Sequence, residues 1–193
     1  MTRLLTLAAL LLAGGAAAEP VGITAEMMTA TVETPDGPVE IGRVQDNDNL
    51  LAEEWALTSR ACPPFCIQPM EVAPGVSTIG ELELIAALQD PDVIVIDSRT
   101  PDWFEGGTIP GAVNMGWDRM TDHLQDLGCE PDFEGYDCSE AAEVVLFCNG
   151  MWCGQSPTAI RVMLAEGYPA EKISWYRGGM QDWRVLGLTV TGD

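Results

Sequence analysis

The sequence predicts an α/β fold: a central parallel sheet flanked by helices, with an N-terminal extension packed on it. Three observations predict it. Val93–Ile96, Val144–Phe147 and Ile173–Tyr176 are short, continuously apolar runs rich in β-branched residues, the pattern of strands buried on both faces. Segments with helix start and stop signals separate them, and strands alternating with helices build parallel sheets. Sequence dense in Pro, Gly and Asp is concentrated ahead of residue 76, as expected of an extension rather than a second core.

Taken in order, Thr29–Glu33 and Val39–Val44 flank the turn signal Thr34-Pro-Asp-Gly-Pro38, so a hairpin is expected there. Cys62-Pro-Pro-Phe-Cys66 makes a stiff knot. Thr78 to Glu81 reads as a capping box ahead of Leu82, Ile85, Ala86 and Leu88, and Asp90-Pro91 stops that helix. Val93–Ile96 is the first core strand. Trp117–Leu127 predicts a surface helix carrying the single histidine, His123, as a solvated side chain. After Val144–Phe147, Ser156 is the expected N-cap of the next helix, with Pro157 at its first position. Ile160, Met163 and Leu164 form its core face and Gly167 ends it. The strand Ile173–Tyr176 leads through Gly178-Gly179 to a short helix around Trp183.

The chain has 193 residues, with 30 acidic and nine basic side chains and a formal charge of −21. That field repels polyanions and argues against nucleic acid or an anionic membrane as partner. Residues 1–18 read as a secretory signal: a positive start at Arg3, the apolar run Leu4–Ala13 and small residues at Ala16–Ala18. No later stretch is long and apolar enough to span a bilayer. The expected organisation is signal 1–18, extension 19–71 and main domain 72–193, in a periplasmic or secreted protein where disulfides persist.

Six cysteines fall as three close pairs, Cys62/Cys66, Cys129/Cys138 and Cys148/Cys153. Local pairing is the economical expectation for the first two. One histidine and the pair spacings argue against structural zinc, and scattered methionines against copper, so no metal or cofactor is expected. Cys148 is the first residue past a core strand. The run Cys148, Asn149, Gly150, Met151, Trp152, Cys153, Gly154, Gln155 leads into a helix at Ser156. Ligands in open parallel sheets bind beyond the carboxyl ends of the strands. Loop N–H groups and a helix N-terminus there stabilise a thiolate and cradle an anion. The alternatives for Cys148 and Cys153 are a reactive pair and an inert staple; for Trp152, a lid over the thiol and a core anchor.

The stretch Val93-Ile-Val-Ile-Asp-Ser-Arg99, then Gly107-Thr-Ile-Pro-Gly-Ala112, resembles the rhodanese-like domain. Phe147-Cys148, the helix Ser156–Gly167, Tyr168, and Tyr176-Arg-Gly-Gly-Met-Gln-Asp-Trp183 agree with it. The resemblance covers about residues 72–193 and implies the fold stated above. It also implies a sulfur-carrying nucleophile at Cys148 and a structural pair at Asp97 and Arg99. Substrate-binding positions would be Asn149, Gly150, Met151, Trp152, Gly154, Gln155 and Ser156. Seven residues separate Cys148 from Ser156, where common loops have five, and no arginine lies between them. Without an arginine to clamp a phosphoryl group, the related phosphatase chemistry is not expected. The leading expectation is therefore a sulfurtransferase carrying sulfane sulfur as a persulfide on Cys148, acting on a small sulfur compound or a protein thiol. The alternatives are a thiol–disulfide oxidoreductase using Cys148 and Cys153, and a non-catalytic module serving an exported partner.

Overall fold

The computed structural model describes residues 19–133 and 135–192. The expected signal, residues 1–18, lies outside the described residues. A five-stranded sheet forms the centre, built from β3 (Ser77–Ile79), β4 (Val93–Asp97), β5 (Val113–Asn114), β8 (Glu143–Phe147) and β9 (Ile173–Tyr176). Its order is β3-β9-β8-β4-β5 and every pairing is parallel. The three strands expected from their apolar runs are the three central ones. β8 has the longest register with a neighbour, Val93 opposite Glu143 through Asp97 opposite Phe147.

Helices α1 (Glu81–Leu88), α2 (Pro101–Glu105), α3 (Gln155–Ala165) and α4 (Gly179–Val185) connect or follow these strands. Two apolar clusters form the core. One gathers Ile96, Leu146, Ile160, Met163 and Trp175; the other gathers Ile85, Val95, Phe147, Met180 and Trp183. Alternate residues of β4 and β8 thus enter different clusters, as side chains on opposite faces of a strand must.

The extension docks on the second cluster. Its hairpin, β1 (Ala30–Val32) and β2 (Val39–Ile41), is antiparallel and buries Ala30, Val32 and Ile41 against the domain. Backbone bonds at Val44 to Gly187 and Thr189 to Gly42 stitch it to the C-terminal segment. Cys62–Cys66 and Cys129–Cys138 are disulfide-bonded, as local pairing predicts. The second bond closes the hairpin of β6 (Glu130–Asp132) and β7 (Gly135–Asp137), and such a short loop contributes about 2 kcal/mol.

Two helix boundaries differ from expectation. Thr78 is inside β3, and the first helix is capped at Gly80, whose N–H donates to Glu83 Oε2 at 3.1 Å. Ser156 is not an N-cap but lies in the first turn of α3, behind the N-cap Gly154. Trp117–Leu127 is not a surface helix either. It holds one 3₁₀ turn, Met120–His123, and sends Met120, Leu124 and Leu127 into the core. His123 stays at the surface beside Asp126, with 3.3 Å between Nδ1 and Oδ2. No helix among the described residues is long and apolar enough to cross a membrane.

Candidate active site

Cys148 follows β8 directly and begins a loop that is pinned from several directions. The N–H groups of Met180 and Gln181, at the start of α4, donate to the carbonyls of Cys148 (3.0 Å) and Asn149 (2.9 Å). This close approach requires the glycine at 179. Its φ is +56°, and a Cβ there would stand 2.2 Å from the Cys148 carbonyl oxygen. The Gln68 N–H, from the extension, donates to the Met151 carbonyl at 2.8 Å. From below, Arg99 Nη1 donates to Asn149 Oδ1 at 3.2 Å.

Asp97 and Arg99 are fully buried and hold each other, with Arg99 Nη2 2.6 Å from Asp97 Oδ2. Thr108 Oγ1 donates to the same carboxylate oxygen at 2.8 Å, and Arg99 Nη2 also reaches the Gly107 carbonyl at 2.7 Å. The pair braces the loop through Asn149 and does not line the cavity described below.

Cys148 and Cys153 are both reduced and buried. Ser156 Oγ–H donates to Cys148 Sγ at 3.1 Å, and Trp175 Nε1–H donates to that hydroxyl oxygen at 3.0 Å. A buried chain of donors thus aims at the sulfur. Burial alone pushes the Cys148 thiol up. Hydrogen bonds from the Cys153 thiol, the Ser156 hydroxyl and the N–H groups of Ser156 and Gly150 outweigh that and bring it down to about 7. The hydrogen bond to Cys148, with burial and the adjoining negative charge, pushes the Cys153 thiol up instead. Of the two, Cys148 is therefore the sulfur that ionises first, while Cys153, which also has Gln155 Oε1 within 3.6 Å, holds its proton more tightly. In its thiol form Cys148 has the Cys153 carbonyl oxygen as acceptor, at 3.5 Å. Removing the hydroxyl with Ser156→Ala should move the pH midpoint of Cys148 alkylation up, towards the free-thiol value of about 8.5. Peptide mass spectrometry after timed iodoacetamide labelling across pH reads this, and an unmoved midpoint would count against the relay.

A cavity of about 320 Å³ opens over the loop, lined by residues that include Asn149, Trp152, Cys153, Gly154 and Gln155. Gly150, Met151 and Ser156, expected to touch substrate, do not line it. Gly150 and Ser156 serve the sulfur through their donors, and Met151 serves the extension through its carbonyl. Cys148 does not line it either. Cys153 stands at the cavity wall while Cys148, 2% exposed, sits behind it. Trp152 lines the cavity and packs edge to face on Phe65 of the extension, with ring centroids 5.2 Å apart. A larger groove of about 580 Å³ adjoins it and shares Glu54 and Trp103, but no cysteine lines that groove.

Three participants were not foreseen. Trp175 was legible only as a strand residue, and Gln68 carries no local signal. Arg60, from the extension, brings to the loop a guanidinium that the loop's own sequence lacks: its guanidinium carbon lies 4.7 Å from the Trp152 ring centroid. Its neighbourhood to the Cys62 knot and the scarcity of basic residues were the signals that could have found it.

Residues 81–185, just over half of the chain, match the rhodanese-like domain. This chain belongs to the rhodanese-like domain family. Over 112 residues the rhodanese-like chain is 28% identical to the HTH-type transcriptional regulator Rv0324 of Mycobacterium tuberculosis, a stretch covering 58% of this chain and 43% of that protein. Similar solved structures include a thiosulfate sulfurtransferase from Pseudomonas aeruginosa, 19% identical with a TM-score of 0.45. The match covers 60% of this chain and 20% of that one. The BH2092 protein from Bacillus halodurans is 18% identical with a TM-score of 0.49, covering 60% and 77%. The chain thus spans less than half the length of the regulator and a fifth of the sulfurtransferase.

Proposed function

We propose that this protein is a sulfurtransferase that carries sulfane sulfur as a persulfide on Cys148, working outside the cytosol. The observation that carries the reading is the buried donor set on one sulfur at the carboxyl end of β8: Ser156 Oγ–H, backed by Trp175, with the Ser156 and Gly150 N–H groups. Such donors stabilise a thiolate before transfer and the persulfide anion after it. In the loading step the Cys148 thiolate attacks the outer sulfur of a donor. The donor's sulfur–sulfur bond breaks, its electron pair stays on the leaving group, and Cys148–S–S⁻ forms. An acceptor thiolate attacks the outer sulfur in turn and restores the Cys148 thiolate. Two disulfides and the signal-like start support an exported setting.

Contact between the two loop thiols favours a second reading, a thiol–disulfide oxidoreductase in which Cys153 resolves Cys148. Mass spectrometry of protein purified natively, without reductant, separates the two. The sulfurtransferase reading expects a Cys148 peptide about 32 Da heavier, the mass of one sulfur atom. A Cys148–Cys153 disulfide that no sulfane donor can convert to that species would overturn it.

A further inference from the structure

The active loop has no cation of its own, yet a guanidinium stands at its mouth. Arg60 lies just ahead of the Cys62–Cys66 disulfide, and its Cζ sits 5.0 Å from the Phe65 ring centroid as well as against Trp152. Its cation thus lies over both rings, which hold it at the cavity. Nη2 donates to the Glu54 carbonyl, which holds one side of the fork. Nε is buried and unpartnered, and among the described residues no carboxylate is within ion-pairing distance of Arg60. With no carboxylate to compensate it, the guanidinium charge at the edge of a cavity is open to an anion that arrives from outside.

The cavity narrows what that acceptor is. Arg60 lines it together with Pro64, Phe65, Trp103 and Trp152, so three aromatic rings stand in its walls, and Cys153 is part of the same lining. Its volume of about 320 Å³ fits a small organic molecule and is larger than a bare inorganic anion needs. Glu54 also lines it, and with the net charge of −21 it disfavours a doubly charged ligand.

We propose that Arg60 is a specificity-determining residue supplied by the extension, and that the sulfur substrate is an organic monoanion with an apolar or aromatic body whose charge pairs with Arg60. This rests on the sulfurtransferase reading above. Benzenethiosulfonate is a probe of that class. Its outer sulfur is taken by the Cys148 thiolate, the sulfur–sulfur bond breaks, and the electron pair leaves on benzenesulfinate. Two singly charged anions react and two are formed, with no proton and no outside electron carrier.

The test compares the full chain with Arg60→Gln and Arg60→Lys. With Arg60→Gln, the benzenethiosulfonate concentration for half-maximal loading should rise about tenfold, as for one lost charge-assisted contact. Arg60→Lys should fall between that and the parent. Alkylation of Cys148 by uncharged iodoacetamide, at a pH high enough to ionise the thiol fully, should be unchanged. Equal losses with both reagents, or no loss with either, overturn the inference. Binding of benzenesulfonate, which has no sulfur to give, is followed by tryptophan fluorescence in a Cys148→Ser background. If it depends on Arg60 while no donor loads the parent protein, the sulfurtransferase reading falls and the Arg60 site stands. If it is indifferent to Arg60, the site falls whatever the donors do.

Discussion

Cys148→Ser should lose sulfur loading altogether, whereas Cys153→Ser should load as well as the parent and hold its sulfur longer. The asymmetry follows from the donors. Ser156 Oγ–H and two backbone N–H groups converge on Cys148, and the Cys153 thiol is pushed up by its neighbour rather than down. Loss of a nucleophile costs a thousandfold or more in comparable sites, roughly speaking, so the serine variant should sit at background. The role of Cys153 shows in what happens next. Its thiol can attack the inner sulfur of Cys148–S–S⁻, passing its proton to the departing outer sulfur, which leaves as HS⁻, and leaving a Cys148–Cys153 disulfide. Sulfide release without an added acceptor should therefore occur in the parent and vanish in Cys153→Ser. The parent's loading rate should climb between roughly pH 6 and 8, as the Cys148 thiol ionises around 7, and level off above that. Because Cys153 and not Cys148 stands on the cavity wall, the experiment has a real alternative. If Cys153→Ser abolishes loading and Cys148→Ser does not, the incoming sulfur stops at the first thiol it meets.

Arg99→Met should destabilise the fold by about 3–5 kcal/mol, the usual cost of leaving a buried carboxylate without its cation. Asp97 and Arg99 are both fully buried, and the guanidinium makes contacts to Asp97, Gly107 and Asn149 that methionine cannot replace. For a chain of this size the thermal midpoint should drop by very roughly 10 °C. The double variant Asp97→Asn/Arg99→Met, with no charge left behind, should recover part of the loss. If the single variant unfolds within a degree or two of the parent, the buried pair is not what supports the loop. A variant that stays stable but loads sulfur slowly would instead place the whole effect in the Asn149 contact.

The sheet was legible where chemistry and period coincide. Val93–Ile96, Val144–Phe147 and Ile173–Tyr176 are buried on both faces, so no alternation is needed to recognise them, and their flanking helices imply parallel pairing. The edge strands β3 and β5 were not legible: two or three residues cannot display a period, and β3 overlaps what read as a capping box. Ser156 illustrates a different failure. A serine ahead of a proline is an excellent N-cap by local rules, but here its hydroxyl is committed to Cys148 and α3 starts two residues earlier than expected, at Gln155. Trp117–Leu127 misled for want of distance information, since three apolar residues separated by turns can reach one core without forming a helix. The loop thiols were placed correctly beyond β8. Arg60 was legible only as a scarce basic residue beside the Cys62 knot, because its approach to Trp152 is a contact between distant parts of the chain that no local pattern encodes.

The strand order carries a consequence for biosynthesis. β9, the last strand of the sheet to be made, lies between β3 and β8. Until it emerges, β3 has no strand to pair with, and the start of α4, which holds the carbonyls of Cys148 and Asn149, does not yet exist. An incomplete chain exposes both loop cysteines together with an unpaired sheet edge. The vulnerable interval for wrong thiol pairing and for edge-to-edge association therefore runs from the synthesis of β8 until the Gly178-Gly179 turn closes over the loop.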